Sequence, residues 1–278
     1  MTRSIEFRTV SHTGVAFFVA VLLTGVVACG QTSGSVEIDD DDIGGVVSGP
    51  NGPEAGVWVI AETMDLPTRF NRTVVTDDEG RYLIPDLPDA TYDVWVRGYG
   101  LVDSRKIRTT PGSSEDLTAV VAPDPHAAAQ YYPAAYWFSL IEVPEKSEFP
   151  GTGPQGNGIS PSMGSQSAWV RSLKSGGCMA CHQLGGKATR EIPAALGEFA
   201  TTEDAWARRI QSGQAGGSMV GGLNRLGASR ALEMFADWTD RIAAGEVPPV
   251  PPRPQGEERN VVITQWDWAD PTAYLHDQ

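Results

Sequence analysis

Two cysteines three residues apart, followed at once by a histidine, make Cys178-Met179-Ala180-Cys181-His182 the stretch of this chain best suited to chemistry. On a helical turn, residues three apart share one side. Both thiols therefore face one edge of a flat ring and can close thioethers to two vinyl groups. The adjoining imidazole then lies beneath the ring, facing a metal at its centre. C-x-x-C-H is the attachment pattern of a c-type haem, with His182 as the proximal iron ligand. Zinc would need further Cys or His ligands at suitable spacing, and a redox dithiol would want a strand–helix–strand setting. The sequence offers neither, so the expected cofactor is one covalent haem c.

The chain has three cysteines in 278 residues, and the third is Cys29. It ends an N-terminal export signal: Arg3 and Arg8 give a positive start, and Gly14 to Gly25 gives a short apolar core. Val26-Val27-Ala28-Cys29 resembles a bacterial lipobox, which implies cleavage before Cys29 and a lipid on its thiol. A plain secretory signal with an incidental cysteine is the alternative. Both place the mature chain outside the cytoplasm. The lipid reading makes it a periplasmic, membrane-anchored lipoprotein, assigned to the outer membrane. A formal net charge of -14 excludes nucleic-acid binding, which needs a basic surface.

The elements that must hold the site follow in order. Residues 1–28 are the leader, and 29–42, with four consecutive aspartates, read as an acidic tether in preference to a calcium loop. Residues 43–122 alternate as strands do: Val57, Val59 and Ala61 share one face, and Thr73–Thr76, Arg81–Ile84 and Tyr92–Val96 repeat the pattern between turns. This predicts an antiparallel β-sandwich. Residues 123–164 form a connector rich in aromatic residues, among them Tyr131, Tyr132, Tyr136, Trp137 and Phe138.

From 165 to 245 the period becomes helical, with Trp169 and Leu173 on one face of a first helix. Thr201 begins a capped second helix, and Leu232, Phe235, Trp238 and Ile242 line a last one. Gly213 to Gly222 read as a loop holding Met219. Glycines on both sides free that thioether to wrap the far side of a ring. Met234 reads as packing within the last helix, while His126 and His276 lie outside the helical stretch. Trp206, Arg208 and Arg209 are candidates for the haem propionates. Residues 246–278 are a proline-rich linker and a terminal strand with little left to pair with.

Two resemblances sharpen these expectations. G-V-V-S-G-P-N-G-P-E-A-G-V-W-V, T-D-D-E-G-R-Y-L-I-P-D-L-P and Y-D-V-W-V resemble the carboxypeptidase regulatory-like domain, which implies a prealbumin-like β-sandwich without catalytic residues. The order helix, C-x-x-C-H, proline loop, helix, methionine, last helix resembles a class I-type cytochrome c over roughly residues 165–245. That likeness implies a small all-α fold with Met219 as sixth ligand, and a Pro193 carbonyl accepting from the His182 imidazole. The whole also resembles the N-terminal part of larger secreted bacterial proteins ending in a β-propeller, which implies a missing C-terminal domain or a propeller partner. The expected function is one-electron transfer to an unidentified redox partner protein, not catalysis. The alternatives are a binding or adhesion protein led by the β part, or the haem module of a larger periplasmic enzyme.

Overall fold

A computed structural model describes residues 37–175, 177–180 and 182–267. Strands come first. They are β1 (Ile43–Gly49), β2 (Gly52–Pro53), β3 (Trp58–Thr63), β4 (Arg69–Val75), β5 (Arg81–Ile84), β6 (Tyr92–Arg97), β7 (Leu101–Val102), β8 (Ile107–Thr109), β9 (Ser113–Ser114), β10 (Leu117–Thr118) and β11 (Val120–Val121). Helices follow: α1 (Pro125–Ala129), α2 (Ala134–Phe138), α3 (Gln166–Lys174), α4 (Lys187–Arg190), α5 (Thr202–Arg209), α6 (Gly216–Leu226) and α7 (Ala228–Ala243). One more strand, β12 (Ile263–Asp267), closes the order. No helix among the described residues is long and apolar enough to cross a membrane.

One five-stranded sheet runs β12-β4-β3-β6-β8 and is antiparallel throughout. The other gathers β2, β5, β9 and β10 around β1, with β9 and β10 parallel to it. Alternation aims Val57, just before β3, and Val59 and Ala61 within it inward, where they share a core with Phe70, Tyr92 and Val94 of the same sheet. Ile43, Val47, Tyr82 and Ile84 of the β1 sheet complete that core.

Two expectations change here. The terminal strand has a partner: β12 pairs with β4 over five residues, and the Trp266 ring meets Phe70 at 4.6 Å. The proline-rich stretch carries the chain back to the sheets, where Arg253 donates to Tyr99 O (3.2 Å) and to Glu54 (2.6 Å). The acidic segment is docked at its end. Asp41 O accepts from Leu87 N (2.8 Å), Asp42 O from Gly112 N (2.7 Å), and the Asp42 carboxylate from Asp86 N (3.2 Å). Backbone donors thus dock Asp41 and Asp42 where a tether was expected, while Asp39, Asp40 and Asp41 remain exposed; residues 29–36 and the leader lie outside the described residues.

The helices form where caps and apolar stripes coincide. Ser165 accepts from Ala168 N to start α3, and Thr201 from Asp204 N to start α5. Trp169 and Leu173 bury one face of α3. Ala231, Met234, Phe235 and Trp238 do the same for α7, where Phe235 stacks on Trp206 of α5 at 4.8 Å.

The connector joins both parts. Tyr132 meets Tyr99 of the β part edge-on at 5.6 Å, and Arg97 lies 4.6 Å over the Tyr131 ring. On the helical side, Trp238 Nε1 donates to Trp137 O at 3.0 Å.

Candidate functional site

The attachment motif sits directly behind α3. Cys178 to Ala180 form a short 3₁₀ turn, and His182 N donates to Cys178 O at 3.0 Å. Cys178 and His182 therefore end one helical turn. Cys178 and Met179 are half-buried against the helical core. Cys181 lies outside the described residues, as do Cys29 and His276. The His182 imidazole is half-buried and has no hydrogen-bond partner among the described residues.

Met219 is placed differently from expectation. It lies on α6, not in a loop, because buried Leu223 and Leu226 anchor that helix despite its glycines. Met219 is four and seven residues before those two, so it lies on the same side of the helix, and it is half-buried. α6 packs against α3, the helix that leads into the attachment turn. The rival Met234 is 2% exposed within the core of α7, which fits packing. His126 is exposed on the connector.

Pro193 is exposed, and its carbonyl accepts from Leu196 N at 3.0 Å to open a 3₁₀ turn. No hydrogen bond joins it to His182 among the described residues. The residues suggested for propionates are also engaged within the chain. Trp206 Nε1 donates to Thr239 Oγ1 (3.1 Å) and Arg208 to Ser212 (2.9 Å). Arg209 donates to the carbonyls of Glu191 and Ala188.

The structure points to other polar groups. The loop after His182 presses on α2: a Cβ on Gly185 would stand 2.0 Å from Ala134 O, so only glycine allows the contact. Beyond it, Arg190 is 6% exposed, donates to Gly185 O (2.8 Å) and lies 4.1 Å over the Trp137 ring. Burial pushes its pKa down from the usual arginine value. The indole N–H groups of Trp95 in the β part, of Trp137 and of Trp169 are buried without an acceptor among the described residues. Unmet buried donors are uncommon, since each costs about 1–3 kcal/mol. Of these, Trp169 lies on α3, which packs against the Cys178 turn; an indole N–H there would suit a carboxylate of a bound haem. Sequence reasoning missed this buried arginine, which ends α4 eight residues after His182.

Outside this region, Asp39, Asp41 and Asp42 bring their carboxylates within 4.8 Å of one another. Asp42 is occupied there with backbone N–H donors.

Comparison with known proteins adds little. No protein family and no curated protein matches the sequence. Among solved structures, an N-terminal interface mutant of a type II cohesin–X-dockerin complex from Acetivibrio cellulolyticus is similar at 16% identity and a TM-score of 0.23. The match covers 30% of this chain and 60% of that one. A C-terminal interface mutant of the same complex gives 13% identity and a TM-score of 0.22, over 38% and 76% of the two chains. Likeness this slight says nothing about fold, ligand or partner.

Proposed function

We propose that this chain is a membrane-anchored, extracytoplasmic c-type cytochrome that passes single electrons to a partner protein. In this reading a prealbumin-like β-sandwich precedes a small all-α cytochrome c fold. Cys178 and Cys181 would hold the porphyrin through thioethers, and His182 and Met219 would supply ligands to its iron. The haem supplies a one-electron Fe(III)/Fe(II) couple; the residues around it set how readily that couple runs. A thioether ligand favours the ferrous form and raises the potential. Trp169 and Leu173 of α3 exclude water behind the attachment turn. Cys29 carries the lipid that keeps the chain at a membrane.

The observation that supports the reading is the single turn joining Cys178 to His182 against the helical core, where the buried Trp169 N–H has no acceptor among the described residues. The test is chemical. Protein matured in a host competent for cytochrome c assembly should keep its colour after extraction with acidified organic solvent. A colourless product, or pigment lost to the solvent, overturns the proposal.

A further inference from the structure

We propose that the β part carries a saccharide-binding site: a cavity where β4 meets β12 takes one neutral sugar unit of a glycan. Arg69, Asn71, Gln265, Trp266 and Asp267 line it, and its volume is about 240 Å³. Pockets for drug-sized ligands run to about 300–1,000 Å³, so this one holds a single ring of a chain that continues into solvent. The inference stands apart from the haem reading, since β4 and β12 carry none of the attachment motif.

Register builds the site. Arg69 pairs with Asp267, and Asn71 with Gln265, across the two strands. Residues two apart on a strand share a face, so these four polar side chains stand together on the face opposite Phe70. Neighbours are about 4.5–5.5 Å apart across the strands and about 6.5–7 Å along them, a rectangle matching one pyranose with its hydroxyls. Asn71 Nδ2 donates to Gln265 Oε1 at 2.9 Å, which leaves Asn71 Oδ1 buried with no donor among the described residues. Turning both amides over exchanges these roles and leaves an N–H unmatched at the same point. A buried amide atom without a partner costs stability, and a hydroxyl satisfies it in either orientation, being both donor and acceptor. Its same-face neighbours Arg69 and Gln265 are exposed, so their side chains can turn aside to admit that hydroxyl.

Charge decides the class of ligand. Arg69 Nε donates to Glu62 at 3.0 Å, and Lys106 reaches the same carboxylate group at 3.5 Å. Asp267 stands opposite Arg69, so both signs are already present at the cavity. An anion there is repelled by Asp267, with Glu62 behind, and a cation is repelled by Arg69. A neutral pair of hydroxyls finds donors in Arg69 and Gln265 and acceptors in Asn71 and Asp267. Trp266, 41% exposed, is the one aromatic residue in the lining and offers apolar contact to the C–H groups of the ring.

The test runs the full chain by affinity electrophoresis through gels cast with a soluble polysaccharide: dextran, xylan, mannan or, as the anionic control, polygalacturonate. At least one neutral polymer should slow the parent, and polygalacturonate should not. Asn71→Leu removes the unmatched amide, and Gln265→Leu removes its exposed neighbour. Each should raise the polymer concentration that halves mobility by about tenfold, while the urea midpoint stays at the parent value. A parent that no neutral polymer slows overturns the inference, as do stably folded variants that bind as the parent does. Retardation by polygalacturonate as strong as by any neutral polymer overturns it too. Should Asn71→Leu fail to fold, Gln265→Leu decides the matter alone.

Discussion

Gly185→Ala tests the clamp between the attachment loop and the connector. Gly185 has φ +97°, and a Cβ built there stands 2.0 Å from Ala134 O and 2.6 Å from Phe138 N. Both are backbone atoms of α2 and its edge, so neither can swing aside. The left-handed conformation costs an L residue about 1–2 kcal/mol. Forced overpacking adds about 1–3 kcal/mol. The expected loss is therefore roughly 2–5 kcal/mol, a large part of a typical 5–15 kcal/mol total. Urea denaturation followed by tryptophan fluorescence measures it. Gly217→Ala provides the opposite sign: its Cβ meets nothing within 4 Å in α6, and replacing a helical glycine there should gain about 0.5–1 kcal/mol. A Gly185→Ala protein within about 0.5 kcal/mol of the parent would refute the contact between loop and connector.

Other outcomes follow from the same structure. Met219→Ala should leave the pigment attached and lower the reduction potential; an unchanged potential removes Met219 from the iron. Cys29→Ser should release the protein from membranes, as read by fractionation, and continued sedimentation with them excludes the lipid. Burial pushes the Tyr92 phenol up to about 12, above the usual value of about 10. The folded form then holds a proton that the unfolded form releases, so its contribution is complete below about pH 10 and declines as pH rises towards about 12. Tyr92→Phe should flatten the loss of stability across that window, with Tyr82, also raised by burial, leaving a remainder. Trp266→Ala, which uncovers Phe70, should cost roughly 1–3 kcal/mol in denaturation, and no change would mean that β12 is not seated on β4.

Local signals were legible wherever the partner of a residue lies close in sequence or one face is buried. Alternation through Val57, Val59 and Ala61 located β3, and Thr201 located the start of α5. Met234 was recognised as packing for the same reason: its helix has a clear apolar stripe. Where distant segments decide the outcome, local pattern failed. Nothing near Ile263 indicates that Thr73 is its partner. The glycines around Met219 suggested a loop, because the burial of Leu223 and Leu226 that holds α6 together is a tertiary effect. The aspartates before β1 looked solvated, yet backbone donors from Leu87 and Gly112 capture them. Within the site, the C-x-x-C-H spacing is a local pattern that the sequence displays directly. The stacking of Arg190 on Trp137 is not legible there, since it becomes visible only when α2 and α4 are brought together.

The late return of the chain sets a timetable for synthesis. Asn71 on β4 bonds Gln265 on β12 across 194 residues. At ribosomal speeds of about 5–20 residues per second, roughly 10–40 s separate the emergence of the two strands. Throughout that interval β4 presents a bare edge with Phe70 beside it, an invitation to stray pairing with another nascent copy. Newly made protein is thus most vulnerable while its helical stretch is being synthesised, and shortening that interval should improve yield.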